Sequence, residues 1–199
     1  MTEYHRYLER LDQLVYHEVV PKLAIFDYFT THAKVVGEIP DEVEPLQWYL
    51  RSALYSDVTF SIFRLYDRRG HRNIYHFLQH ARKCLKSISW VNPLTPEDID
   101  RHEKKLEDVA GLVENLKERR NKFFGHYDKD YFYEPDLINT SFPFSNDDAK
   151  ALVRALQVIV SDHNRALTGR SSISIDGFAY VAAERLYKKL GRSIESDKE

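Results

Sequence analysis

Residues 95–126, TPEDIDRHEKKLEDVAGLVENLKERRNKFFGH, hold the pattern that decides the fold. The stretch opens with a threonine, a proline and two acids, a strong start signal, because the hydroxyl caps free N–H groups and acids favour the first turn. Apolar side chains then recur three and four residues apart, at Leu106, Val109, Val113 and Leu116. The pattern predicts an amphipathic helix that begins at Thr95 and runs past Arg120.

Similar spacing elsewhere predicts further helices. They cover residues 2–33, 45–69, 73–86, 146–169 and 177–190. Asn73 and Asn146 are the expected N-caps of two of them, and Pro21 should kink or split the first. We therefore expect one all-α domain over residues 1–199, a bundle of about five to six helices with a polar, frayed tail after about residue 191.

The composition favours an intracellular protein. The 199 residues are 43% hydrophobic and 30% charged, and no apolar run is long enough for a membrane span. The N-terminus lacks the apolar core of a secretion signal, and the single cysteine, Cys84, cannot form an internal disulfide. The expected location is the cytoplasm.

Positive charge is concentrated in one segment. The chain has a net charge of −2, yet residues 64–86 carry seven lysines and arginines against one carboxylate, Asp67. Such a segment is expected either to bind a polyanion or to be an ordinary solvated helix face.

The end of the fourth predicted helix contains an anomaly. The apolar rhythm continues onto Arg120, where an apolar side chain is expected, and His126 follows directly after a glycine. A guanidinium on a buried face needs a partner, so Arg120 either pairs with an internal acid such as Glu114 or Glu118, or binds an anion. Arg119 is the alternative arginine, because it lies seven residues before His126 and would share its helix face.

An arginine followed after four to six residues by a histidine, with a polar residue next to the arginine, resembles the signature of HEPN proteins. Arg120, Asn121 and His126 match it. The string SIFRLYD, residues 61–67, is similar to the Abi-U-type (phage abortive infection) HEPN group. The resemblance covers roughly residues 45–168.

The resemblance implies an antiparallel helical bundle that forms a homodimer, and metal-independent endoribonuclease activity with no cofactor. It also implies a role as a toxin or antiphage effector, with RNA as substrate and an antitoxin protein as a further partner. The predicted catalytic residues are Arg120, His126 and Asn121. Substrate-binding or supporting roles are predicted for Arg119, Arg64, Asp67, Lys122 and Tyr127.

Two alternatives stay open. Some HEPN domains bind RNA or protein without catalysis, so the chain is alternatively a noncatalytic binding module. His76, His80 and Cys84 recur every four residues and could face one metal ion, although nothing nearby completes a ligand set. We expect no metal site.

Overall fold

The computed structural model describes residues 2–31, 44–124 and 129–196, and every regular element in these ranges is helical. The helices are α1 (Glu3–Asp12), α2 (Val20–Thr31), α3 (Glu44–Tyr66), α4 (Ile74–Cys84), α5 (Pro96–Asp108), α6 (Ala110–Arg119), α7 (Lys129–Tyr133), α8 (Leu137–Ser141), α9 (Asn146–Thr168) and α10 (Asp176–Ser196). Two π-helical segments, Gln13–Val19 and Arg120–Phe124, join or extend them. The all-α prediction is confirmed.

The predicted number of five to six helices is wrong for the described residues, because the chain forms more and shorter helices. The fourth predicted helix ends at Val109, whose φ of −106° and ψ of 7° depart from α-helical geometry, and restarts as α6. The segment before Asn146, for which no helix was predicted, contains α7 and α8, which are separated by Pro135.

The first predicted helix is split, as expected, into α1 and α2, and Pro21 is the second residue of α2. The π-helical segment Gln13–Val19 precedes it, and the N–H of Val20 donates to the carbonyl of Val15, five residues back. Proline has no N–H and its ring crowds the carbonyl four residues earlier. A widened π-turn is one of the local adjustments that accommodate this conflict within a helix.

Four of the described helix starts carry side-chain caps, and the first is Thr2, which accepts from the N–H of His5 at the start of α1. Asn73 accepts from the N–H of His76, and Thr95 forms a reciprocal capping box with Asp98, both at the predicted positions. The cap of α9 is Ser145, which forms a capping box with Asp148, so the prediction of Asn146 was one residue too late.

α9 lies in the core, where Leu152, Leu156, Ile159 and Val160 are almost fully buried. The hydroxyl of Tyr66 on α3 donates to the Leu152 carbonyl at 2.7 Å, which ties α3 to α9. α10 packs mainly against α2, through the ring of Tyr28 and two tyrosines of α10. None of the described helices combines the length and the apolar character that crossing a bilayer would require.

Two histidines lie inside this core. Nδ1 of His163 is 2.6 Å from the hydroxyl of Tyr4, and Nε2 of His102 is 3.1 Å from a carboxylate oxygen of Asp162. The two imidazole rings are 5.1 Å apart. Burial lowers the pKa of His163 to about 3, with a contribution from His102, and burial also lowers the pKa of His102 despite Asp162. Both rings are therefore neutral near pH 7.

Candidate functional site

The end of α6 carries two neighbouring arginines in opposite environments. Arg119 is only 4% exposed, whereas Arg120 is exposed. The guanidinium of Arg119 donates to the carbonyl of Phe142 at 2.8 Å, to the side-chain oxygen of Asn139 at 2.9 Å and more weakly to the carbonyl of Ile138 at 3.4 Å. Arg119 thus connects α6 to the segment around α8, which follows residues 125–128 in the sequence.

The placement of Arg120 on the buried face was therefore wrong, and Arg119 takes that place. Counted from the buried Leu116, Arg119 lies about 60° to one side of the helix and Arg120 about 40° to the other. The angular positions of the two arginines around the helix therefore do not decide which of them is buried. The acceptors around Phe142 lie on the Arg119 side, where Asn115 also donates to the carbonyl of Pro143 at 3.0 Å.

Arg119 carries a buried charge that no carboxylate neutralises among the described residues; its acceptors are neutral oxygens. Its Nε also lacks an acceptor. Tyr55 lies beside it, with the guanidinium carbon 6.0 Å from the ring centre. Burial raises the pKa of Tyr55 although Arg119 opposes the rise, so the phenol stays protonated and supplies no negative charge.

Arg120 lies over the ring of Phe63 on α3, with its guanidinium carbon 5.4 Å from the ring centre. One of its N–H groups donates to the side-chain oxygen of Asn121 at 2.8 Å. The described residues offer it no ion pair, so the predicted alternative of a salt bridge to Glu114 or Glu118 is not formed. Glu114 binds Lys117 at 2.7 Å and Glu118 lies 3.8 Å from Lys122. Most N–H donors of Arg120 stay available for an anion.

The other predicted site residues lie around this point or outside the description. His126 and Tyr127 lie outside the described residues. Lys122 lies over the ring of Phe142, 5.0 Å from its centre. Arg64 is exposed and contacts Ser61 at 3.5 Å, and Asp67 accepts from the N–H of Arg69 at 3.1 Å. Among the described residues, Arg64 and Asp67 form no ion pair with each other, and each makes a local contact instead.

The aromatic cluster after the motif divides into two environments. Tyr131 is buried and lies 6.5 Å from the ring of Phe142, so it packs the segment onto the bundle. Phe132 and Tyr133 are exposed and adjacent to each other, with ring centres 5.2 Å apart.

Within the described residues, some cations of the basic segment form ion pairs and others do not. Arg72 pairs with Glu3 at 2.9 Å, and Arg82 bridges Asp100 and Glu103 at 2.6 and 2.9 Å. Arg68, by contrast, lies over the ring of Tyr75 at 4.1 Å and has no ion pair among the described residues.

The histidines and the cysteine of α4 do not converge on one point. Sγ of Cys84 is 3.8 Å from His80, whereas Nδ1 of His76 lies 3.2 Å from the side-chain amide of Asn73. No group of three His, Cys, Asp or Glu side chains arranged for a metal ion occurs in residues 2–31, 44–124 and 129–196.

Sequence reasoning missed Phe63 as the ring beneath Arg120, and it missed the buried histidines. The histidines did leave a signal. His102 follows Ile99 by three residues and precedes Leu106 by four, and His163 continues the apolar stripe of α9. No local signal marks Phe63, because its contact joins positions 57 residues apart in the sequence.

A comparison with protein-family models matches the chain to AbiU2, a HEPN family, over residues 1–189. The match extends beyond residues 45–168, where the motif resemblance was expected to lie. No significant match was found among curated proteins or among solved structures. Since the matched region covers nearly the whole sequence, the chain belongs to the AbiU2 family of HEPN proteins.

Proposed function

We propose that this protein is a metal-independent endoribonuclease that acts in abortive infection, as a toxin or antiphage effector. The observation that carries the proposal is Arg120. It is exposed, free of ion pairs among the described residues, and set over Phe63 with its donors available, six residues before His126. Membership of the AbiU2 family supports the abortive-infection role.

The chemistry follows from the residue types. His126 removes the proton from an RNA 2′-hydroxyl, whose oxygen then attacks the neighbouring phosphorus. The bond from phosphorus to the 5′-oxygen breaks, that oxygen takes up a proton, and a 2′,3′-cyclic phosphate remains. Arg120 binds the non-bridging phosphate oxygens through paired N–H groups and stabilises the charge that grows on them.

The neighbouring residues support this arrangement. Asn121 orients the Arg120 guanidinium through the hydrogen bond at 2.8 Å. Lys122 and Arg64 add positive charge near the phosphate, Asp67 supports the end of α3, and Tyr127 stacks on a base next to the cut. Arg119 supports the site, because it joins the helix that precedes His126 in the sequence to the segment that follows it.

The proposal includes a homodimer in the cytoplasm. One imidazole cannot easily be base and acid in the same step, and a symmetric dimer supplies a second histidine. In this scheme the His126 of each subunit takes one of the two roles. An antitoxin protein restrains the activity in uninfected cells.

The test is RNA cleavage by the purified protein in EDTA. Arg120→Ala and His126→Ala are each expected to lower the rate by about a hundredfold or more, because each removes a group that acts in the transition state. The matched control is Arg154→Ala, an exposed arginine on α9. The product should end in a cyclic phosphate.

Undiminished cleavage by both purified variants would refute the assignment of the site. If the wild type binds RNA in a salt-dependent way but forms no product, the protein is a noncatalytic binding module instead.

A further inference from the structure

A groove of about 330 Å³ lies between the end of α3 and the side of α6. Phe63, Arg68, Arg69 and Tyr75 line it from the α3–α4 side, and Lys117 lines it from α6. Phe63 is also the ring beneath Arg120, so the groove lies next to the proposed catalytic arginine.

The groove runs along one side of α6. Its lining there extends from Ala110 to Lys117, about 10 Å of helix, and Arg120 follows three residues after Lys117. A polymer whose reacting phosphate lies at Arg120 therefore has this groove beside it for a neighbouring phosphate.

Among the described residues, the basic segment contains both paired and unpaired cations, and Lys83 and Lys86 outside the groove have no ion pair either. Arg68 and Arg69 have no ion pair among the described residues, whereas Arg72 and Arg82 are neutralised by acids. Two carboxylates also line the groove. Asp67 accepts from the backbone N–H of Arg69, and Glu114 binds Lys117.

Two arginines of this surface lie over aromatic rings, and Arg120 also donates one hydrogen bond to Asn121. The Arg68 guanidinium lies 4.1 Å above Tyr75, and that of Arg120 lies 5.4 Å above Phe63. A ring that covers the face of a guanidinium leaves the N–H groups at its edge free. The side chains are thus ordered in advance while their donors stay available for phosphate oxygens.

We propose that this groove binds the backbone of single-stranded RNA next to the phosphate held at Arg120, with Arg68 and Arg69 as its phosphate ligands. The inference rests on the proposed function, because it takes RNA as the substrate. Unpaired RNA fits a shallow track in which phosphates meet arginines and bases can meet Tyr75.

The test compares a groove variant, Arg68→Gln with Arg69→Gln, with a control of equal charge change, Lys83→Gln with Lys86→Gln. Both control lysines are exposed and lie outside the groove. Binding of a labelled RNA strand about 12 nucleotides long is measured against salt concentration, with His126→Ala in every protein to prevent cleavage. The groove variant should lower the slope of log K against log salt by about 1.4, because each phosphate contact in a single strand contributes about 0.7.

Cleavage by proteins that retain His126 gives the second measurement. The groove variant should lower kcat/KM for the long strand by about tenfold while leaving cleavage of a dinucleotide unchanged, since a dinucleotide reaches only Arg120. Thermal unfolding of each variant, expected to match the wild type because all four positions are exposed, excludes misfolding as the cause.

Equal losses of RNA binding in the groove variant and the lysine control, or no loss in either, would refute the proposal that the groove binds RNA. The proposal that Arg120 acts in cleavage would be unaffected. Conversely, a groove-specific loss of binding together with unaltered cleavage in Arg120→Ala would support the groove and refute the catalytic assignment. If a poly-glutamate probe binds in the groove more tightly than RNA does, the surface serves an acidic protein and the proposal falls.

Discussion

At the scale of single residues, Arg119 and Arg120 illustrate how one peptide bond separates two roles. Arg119 is surrounded by neutral oxygens inside the protein, and Arg120 lies on a ring at the surface. Desolvating a charge costs several kcal/mol unless hydrogen bonds replace the lost water. A buried arginine without a carboxylate is therefore expected only where many acceptors converge, as they do around Arg119.

Replacing each arginine by methionine should separate these roles. Arg119→Met leaves the acceptors near Phe142 without a donor and should lower the free energy of unfolding by about 1–3 kcal/mol. Arg120→Met should change it by no more than about 0.5 kcal/mol, as at other exposed positions. Urea unfolding of both variants measures the difference, and equal losses would contradict the assignment of Arg119 to the interior.

The buried histidine at position 163 makes stability depend on pH. It lies among Tyr4, Phe77 and His102, with Asp98 as the acid that favours its charged form. The unfolded chain binds a proton on this imidazole below about pH 6.5. The folded chain does so only near its pKa of about 3, so stability is complete above pH 6.5 and falls as the pH drops towards 3.

Replacing His163 by glutamine should therefore flatten the acid side of the stability profile. The wild type should lose up to about 1.4 kcal/mol per pH unit through this group, measured by urea unfolding between pH 7.5 and 5. His17→Gln, on an exposed position of the first helix, should keep the wild-type slope. Identical slopes in all three proteins would show that His163 is not protonated differently in the two states.

The choice between the two arginines marks where residue-level prediction from sequence ends. An arginine in the apolar rhythm and the motif around it were recognisable, since spacing and residue types are local. Which arginine turns inward depends on α8 and the residues after it, and their fold over α6 has no local signature. His102 and His163 were in principle recognisable from their positions in apolar stripes.

At the scale of helices, the start signals were the most predictable features. Thr95 with Asp98 has the spacing of a capping box, and Asn73 precedes an apolar pattern. Breaks inside helices were less predictable. The turn at Val109 and the π-helical segment before Pro21 depend on how the chain relieves local conflicts, and several solutions suit the same sequence.

The caps at Asn73 and Thr95 should contribute different amounts to the free energy of unfolding. Thr95→Ala should lower the free energy of unfolding by about 1 kcal/mol, the usual value of an exposed cap. Asn73→Ala should cost about 2–3 kcal/mol, because its amide also donates to the carbonyls of Asp67 at 2.9 Å and Gly70 at 2.7 Å. Chemical unfolding gives both values. A smaller loss at Asn73 than at Thr95 would mean that the turn between α3 and α4 does not depend on that side chain.

At the scale of the whole molecule, the fold class followed from the apolar stripes and the scarcity of glycine and proline. The packing arrangement of the helices could not be predicted from those patterns. The contact of α10 with α2 joins the two ends of the chain through tyrosines such as Tyr28. The spacing of apolar residues within either helix does not predict which other helix packs against it. Family membership indicates the overall fold class, whereas the arrangement of the helices is determined by contacts between residues that are distant in the sequence.

The proposed dimer predicts dominant inhibition. If cleavage needs a histidine from each subunit, a mixed dimer with one His126→Ala subunit is inactive. After subunits exchange, a tenfold excess of this variant should lower wild-type cleavage by about tenfold. The same excess of Arg154→Ala, which keeps both histidines, should leave cleavage undiminished. Full activity in the presence of excess His126→Ala would indicate that each subunit works alone.

The tie between Arg119 and the Asn139–Phe142 stretch has a consequence for protein engineering. It closes a ring of chain around the whole motif, so the two sides of residues 125–128 are joined through space as well as by peptide bonds. Two fragments divided in that interval are therefore expected to reassemble when they are co-expressed. Under the proposed function, the reassembled pair would cleave RNA and each half alone would be inactive.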